Sequence, residues 1–152
     1  MLKTGRILYY IIGVIGVAFG GYYLFVNNMA PYHYAFMQMD KEQIDAFNPR
    51  ILELMIALKH IAGACFIGIG IITLFIASRI KAGSENICIY NLGLFLMLLI
   101  SNSTVLYISY HVAQQIDKGP KPPWYLSAVI VLLLLGAFAA VSKGRKEVNC
   151  AC

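Results

Sequence analysis

The chain has 152 residues, of which 60% are hydrophobic and only 12% charged, whereas soluble domains carry about 25% charged residues. That balance excludes an ordinary water-soluble globule, and so little lies outside four apolar stretches that a separate soluble catalytic domain is excluded as well. The net charge of +5 comes from basic residues flanking those stretches and gives no reason to invoke nucleic acid.

The first apolar stretch runs from Ile7 to Val26, near the roughly 20 residues a helix needs to cross the hydrocarbon core. Lys3 and Arg6 precede it, as they would in a signal peptide. The run is long for such a segment, and no small-x-small cleavage site follows near Asn27 and Asn28, so it reads as a retained first span. Gly16 and Gly20 form a small-xxx-small pattern that lets another backbone approach closely. This face is expected to pack in the bundle or to meet a second copy or a partner membrane subunit. Tyr9, Tyr10, Tyr22 and Tyr23 fall near the helix ends, where amphipathic rings anchor at the interface.

The segment from Asn27 to Arg50 is the longest outside the spans. Its middle, Gln38 to Phe47, is expected to form a short amphipathic helical turn. Pro31 and Pro49 punctuate it, Pro49 at a helix start where a missing N–H is tolerated. Asn48 then reads as the N-cap of the second span.

The second stretch, Ile51 to Ala77, holds Glu53, Lys59 and His60. A charge at bilayer depth costs about 2.5–3.5 kcal/mol even on the lenient insertion scale. With the midpoint near Ala64 and about 1.5 Å per residue, Lys59 and His60 lie roughly 6–8 Å from the midplane and Glu53 near the interface. Glu53, Ala57, His60, Ala64 and Gly68 follow steps of three and four and share one face, which is expected to look into the bundle. Lys59 lies off that face, where its ammonium can snorkel outward.

A short turn at Lys81 to Glu85 leads to the third stretch, Ile87 to Tyr110, with Ser101, Asn102, Ser103 and Thr104 in its second half. Ser103, Tyr107 and His111 recur at steps of four on one face. Gly119, Pro120, Pro122 and Pro123 stiffen the next loop. Trp124 then opens the fourth stretch, which ends at Val141.

With four spans, both ends and the second-to-third loop share one side, which carries Lys3, Arg6, Arg79, Lys81, Lys143, Arg145 and Lys146. The other side has Lys41, Arg50, Lys118 and Lys121, offset by Asp40, Glu42, Asp45 and Asp117. The bias places both termini in the cytoplasm. Cys65 is mid-membrane, Cys88 begins the third span, and Cys150 and Cys152 close the tail; none offers an exposed thiol pair on the oxidising side, which argues against disulfide exchange.

The expected fold is therefore all-α, an integral membrane four-helix bundle forming one domain over residues 1–152. If the second and third spans face each other, Glu53, His60, Asn102 and Tyr107 line a polar pocket open on the outer side. Lys59 stands at its edge, Ser103, His111 and Trp124 lie around it, and His33 roofs it. Simpler roles exist for several of them: Glu53 pairing with Arg50 one turn away, Asn102 as interhelical glue contributing about 0.6 kcal/mol, and His60 as a buried histidine bonded to a neighbour.

Three functions follow from such a pocket. One is a binding or accessory protein for a lipid-like or quinone-like ligand or a partner membrane subunit. Another is an enzyme on an amphipathic substrate, with His60 or Glu53 as acid or base and Lys59 stabilising negative charge. A third is a haem or metal subunit using His60 with His111 or His33; His60 and His111 differ by about 12 Å in depth, too far for one iron without bending. The sequence names no cofactor. The Arg- and Asn-rich signature of glutathione-dependent membrane enzymes has no counterpart at Arg50 to His60, and the first span lacks the carboxylate of small multidrug exporters.

Pro31-Tyr32-His33, the run Leu58-Lys59-His60-Ile61-Ala62-Gly63-Ala64, and Gly119-Pro120-Lys121-Pro122-Pro123-Trp124 together resemble a family of small bacterial four-span integral membrane proteins. The resemblance implies a four-span fold in a bacterial inner membrane and transfers no activity.

Overall fold

The computed structural model describes residues 1–149, with side chains described through residue 145; Cys150 and Cys152 lie outside that range. Six helices follow in chain order: α1 (Leu2–Phe25), α2 (Pro31–Met37), α3 (Lys41–Phe47), α4 (Pro49–Arg79), α5 (Ile87–Gln115) and α6 (Trp124–Asn149). No strand forms among the described residues. Helices α1, α4, α5 and α6 are long and apolar enough to cross a membrane, so the chain is a multi-pass helical membrane protein. At about 1.5 Å per residue, the 24, 31 and 29 residues of α1, α4 and α5 exceed the roughly 30 Å hydrocarbon core. Their ends therefore stand in the interface, which is why these helices outrun the apolar stretches.

Local chemistry sets the breaks. Asp40 accepts from the Gln43 N–H at 2.8 Å while the Gln43 side chain accepts from the Asp40 N–H at 2.9 Å, a capping box that starts α3 inside the expected Gln38–Phe47 segment. The Asn48 side chain accepts from the Arg50 N–H at 3.0 Å and Pro49 fills the first position of α4, as the sequence requires. Pro31 starts α2 in the same way, and Gln38 closes that helix in the left-handed region at φ 54°.

Helix α1 lies between α4 and α6, and α6 packs on α5, whereas α4 and α5 touch only sparsely. The α1–α4 seam is backbone against backbone. A Cβ at Gly20 would sit 2.6 Å from the Gly63 carbonyl oxygen, and one at Gly70 would sit 2.8 Å from that of Gly13. Gly16 also faces α4, with a Cβ 3.4 Å from the Gly70 Cα. The Gly16/Gly20 face thus packs against α4 within the chain. Close approach of this kind multiplies dispersion contacts where no hydrophobic effect drives helices together.

Leu2 abuts Gly144, so the ends of α1 and α6 meet on one face, here the terminal face; α2, α3 and the α5–α6 loop form the distal face. The main apolar core includes Ile12, Ala77, Ile80, Leu94, Leu98, Leu134 and Val141. Within it, the Tyr9 hydroxyl donates to Asn91 Oδ1 at 2.8 Å, and Asn91 Nδ2 donates to Ser142 Oγ at 3.1 Å and to the Phe138 carbonyl at 3.3 Å. Tyr9 is fully buried and ties α1, α5 and α6 together instead of anchoring at the interface. At the distal face Ile44 and Met29 pack on Leu52, which pins α3 to the start of α4.

Candidate functional site

Lys59 is 8% exposed. Its ammonium donates to the carbonyls of Val26 and Asn28, the latter at 2.8 Å, just beyond the last turn of α1. Those carbonyls have no intrahelical partner, and a cation at a helix C-terminus is favoured by the macrodipole. The side chain therefore reaches toward the distal face, as snorkelling implies, but it ends in a fixed bond to protein. Above it, the α2 helix carries His33, half-buried, whose Nδ1 lies 3.3 Å from the Ala30 carbonyl. Burial lowers its pKa from the ordinary value; the Ala30 bond opposes this, and the nearby Lys59 charge adds to it. Tyr32 shares its hydroxyl hydrogen bond with Tyr23 at 2.8 Å, and burial, aided by that bond, raises the Tyr32 phenol. Ala35 reaches the α5–α6 loop, 3.2 Å from a Cβ placed on Gly119. Helix α2 thus roofs the distal ends of both halves of the bundle.

The face of α4 carrying Glu53, Ala57, His60, Ala64 and Gly68 does not meet α5. Glu53, Ala57 and Ala64 are exposed, and a Cβ on Gly68 would meet nothing within 4 Å. Helix α4 is turned so that Lys59, Gly63 and Gly70 look into the bundle and this small-residue face looks outward. His60 is half-buried, its Nε2 enclosed without a hydrogen-bond partner. On α5, Asn102 donates to the Leu98 carbonyl of its own helix at 2.8 Å, and Ser101 and Thr104 bond back in the same way. The structure therefore does not join Glu53 and His60 to Asn102 and Tyr107.

It brings together a different set. Ser103, Tyr107 and Trp124 line one open groove of about 400 Å³ between α5 and α6, completed by Leu106, Tyr110 and Ala128. Its wall is almost wholly apolar surface with four polar tips: the Ser103 hydroxyl, two phenols and the Trp124 indole. Tyr110 stands edge-on to Trp124 at 5.6 Å. Along the same helix the Tyr107 and His111 rings lie 6.2 Å apart and nearly parallel, and His111 Nε2 is 3.3 Å from Gln115 Nε2. Measured from the middle of α5, Ser103, Tyr107 and His111 stand about 3, 9 and 15 Å toward the distal face. The column runs from the middle of α5 to its distal end.

No family model, curated protein or solved structure matches the chain. Among the described residues, no three His, Cys, Asp or Glu side chains come together as a metal cluster. Of the three histidines, His33 lies in α2, His60 in α4 and His111 on the exposed side of α5. Cys65 and Cys88 are exposed free thiols on different helices. Leu106, Tyr110 and Ala128 escape sequence reasoning because two are ordinary span residues. Tyr110 alone carried a signal, one turn from Leu106 at the end of an apolar stretch.

Proposed function

We propose that the protein is a membrane-embedded binding or accessory protein that holds the chain of a lipid-like or quinone-like amphipath between α5 and α6. The observation that carries this reading is the groove lined by Ser103, Leu106, Tyr107, Tyr110, Trp124 and Ala128. A volume of about 400 Å³ falls in the range of small-ligand sites, which are mostly apolar with a few placed polar groups. The apolar length of the groove suits a chain, and the His111–Gln115 pair at the distal limit of α5 suits a polar end. Tyr107 and Trp124 by themselves match an aromatic belt; a groove between them adds room for a ligand that a belt does not need.

The charge bias supports placing the terminal face in the cytoplasm, which opens the groove to the outer leaflet; a bacterial inner membrane is what the resemblance of the three short segments implies. A cysteine introduced at Lys118 in a cysteine-free chain is then labelled from outside intact cells by an impermeant maleimide. Labelling only after permeabilisation reverses the orientation. Lys59 and His33 serve the site indirectly by fixing the roof that contacts the α5–α6 loop. Native mass spectrometry of the chain with lipids retained tests the binding. The expected result is a defined adduct in the wild type that Ala128→Phe, which fills the groove, removes without changing the unfolding midpoint. Identical adducts in both chains refute a site in this groove.

A further inference from the structure

The α4–α5 connection on the terminal face encloses a second open pocket of about 360 Å³, lined by Arg79, Lys81, Ala82, Gly83, Ser84 and Tyr90. The Ser84 N–H donates to the Lys81 carbonyl at 3.2 Å, and Gly83 sits at φ +81°, the arrangement of a type II turn that favours glycine at its third position. The turn holds Lys81 and Ser84 at its two ends. Two residues before Lys81, the Arg79 guanidinium lies over the Phe75 ring at 5.0 Å, a contact that favours its place beside the pocket. From α1, Arg6 Nη1 donates to the Ile80 carbonyl at 3.5 Å, and its Nε is enclosed without a partner. A third cation therefore rests on the residue between Arg79 and Lys81. The start of α5, which follows directly, has no side-chain cap from Asn86. Glu85, exposed, is the one acidic residue in the connection.

We propose that this pocket binds a phosphate ester, with Arg79 and Lys81 pairing the anion and the Ser84 and Tyr90 hydroxyls donating to its oxygens. Phosphate offers several acceptors to converging donors, and guanidinium matches two of them at once. The pocket lies at the end of two spans, at the level of lipid headgroups, where basic pockets between helices take anionic headgroups. The same chemistry would accept a water-soluble phosphate ester. The site is separate from the α5–α6 groove, at the opposite end of the bundle, and does not depend on that groove being occupied.

The test uses the full chain in neutral detergent with an equimolar mixture of phosphatidylglycerol and phosphatidylcholine, read by native mass spectrometry. A parallel arm measures the shift of the unfolding midpoint with sn-glycerol 3-phosphate. The pocket variant is Arg79→Gln with Lys81→Gln, and the control, Lys3→Gln with Lys143→Gln, removes equal charge from the same face. Preferential retention of phosphatidylglycerol is expected to fall on the order of tenfold in the pocket variant and less than twofold in the control. Arg79→Lys is expected to keep retention, which separates lost charge from lost folding. That pattern supports the site with a lipid source. A midpoint rise with glycerol phosphate in the wild type that the pocket variant loses supports it with a soluble source. Equal losses in pocket and control variants, or no response of either probe to the pocket variant, overturn the proposal.

Discussion

At Lys59 a charge inside an apolar helix meets two backbone carbonyls that α1 cannot satisfy itself. The sequence shows that the charge is there and that its stem can snorkel; it does not show the partner, because Val26 and Asn28 lie more than thirty residues away. Replacing it by Met removes two charge-assisted hydrogen bonds to those carbonyls, and Lys59→Met is expected to lower stability by about 1–3 kcal/mol, seen as a reduced unfolding midpoint in detergent. His33 gives a pH dependence of defined sign. Its folded pKa is lowered by burial and by Lys59, so the unfolded chain takes up a proton near the ordinary value of about 6.5 before the folded chain does. Its contribution is complete above that value and is lost as pH falls below it. Between about pH 7.5 and 5.5, the wild-type midpoint should drop further than that of His33→Gln; equal drops would assign the effect to other groups. His60 illustrates the reverse limit. Its position in an apolar stretch marks it as costly, yet its helical phase carries it away from α5.

Among the elements, the α1–α4 seam was half visible. Gly16 and Gly20 announce close approach, and the structure supplies it. The partner stripe on α4 could have been read from Lys59, Gly63, Phe66 and Gly70 at steps of four, three and four, but Ala57, Ala64 and Gly68 make a second small-residue face nearly half a turn away. Composition cannot choose between two such faces when lipid is as apolar as a neighbouring helix. The contacts do choose. Gly20→Leu and Gly63→Leu should each separate the helices and lower the unfolding midpoint sharply, since their Cβ atoms would lie 2.6 and 2.8 Å from carbonyl oxygens. Gly68→Ala, which meets nothing within 4 Å, should leave the midpoint unchanged or raise it slightly through helix propensity. The reverse order would place α4 in the other rotation. The cap at Asn48 was legible because it is local chemistry, and the structure adds the one at Asp40; the Tyr9–Asn91–Ser142 link was not legible, because its members are about eighty and fifty residues apart.

For the whole molecule, four apolar runs and their basic flanks suffice to give the class of fold, since length and hydropathy decide which segments cross a bilayer. They do not give the order of neighbours. Placing α1 between α4 and α6 separates α4 from α5 and moves the candidate site from a polar cleft around His60 to an apolar groove at α5–α6. Trp124, the single tryptophan of the chain, lines that groove and reports on it directly. Fluorescence of the reconstituted protein, titrated with brominated phospholipid in a large excess of unbrominated lipid, measures whether a chain occupies the groove in preference to its surroundings. A binding groove gives quenching that saturates at low mole fraction in the wild type and becomes proportional to bulk composition in Ala128→Phe. Quenching proportional to composition in both chains would mean that Trp124 meets only the surrounding bilayer, and would contradict the binding site.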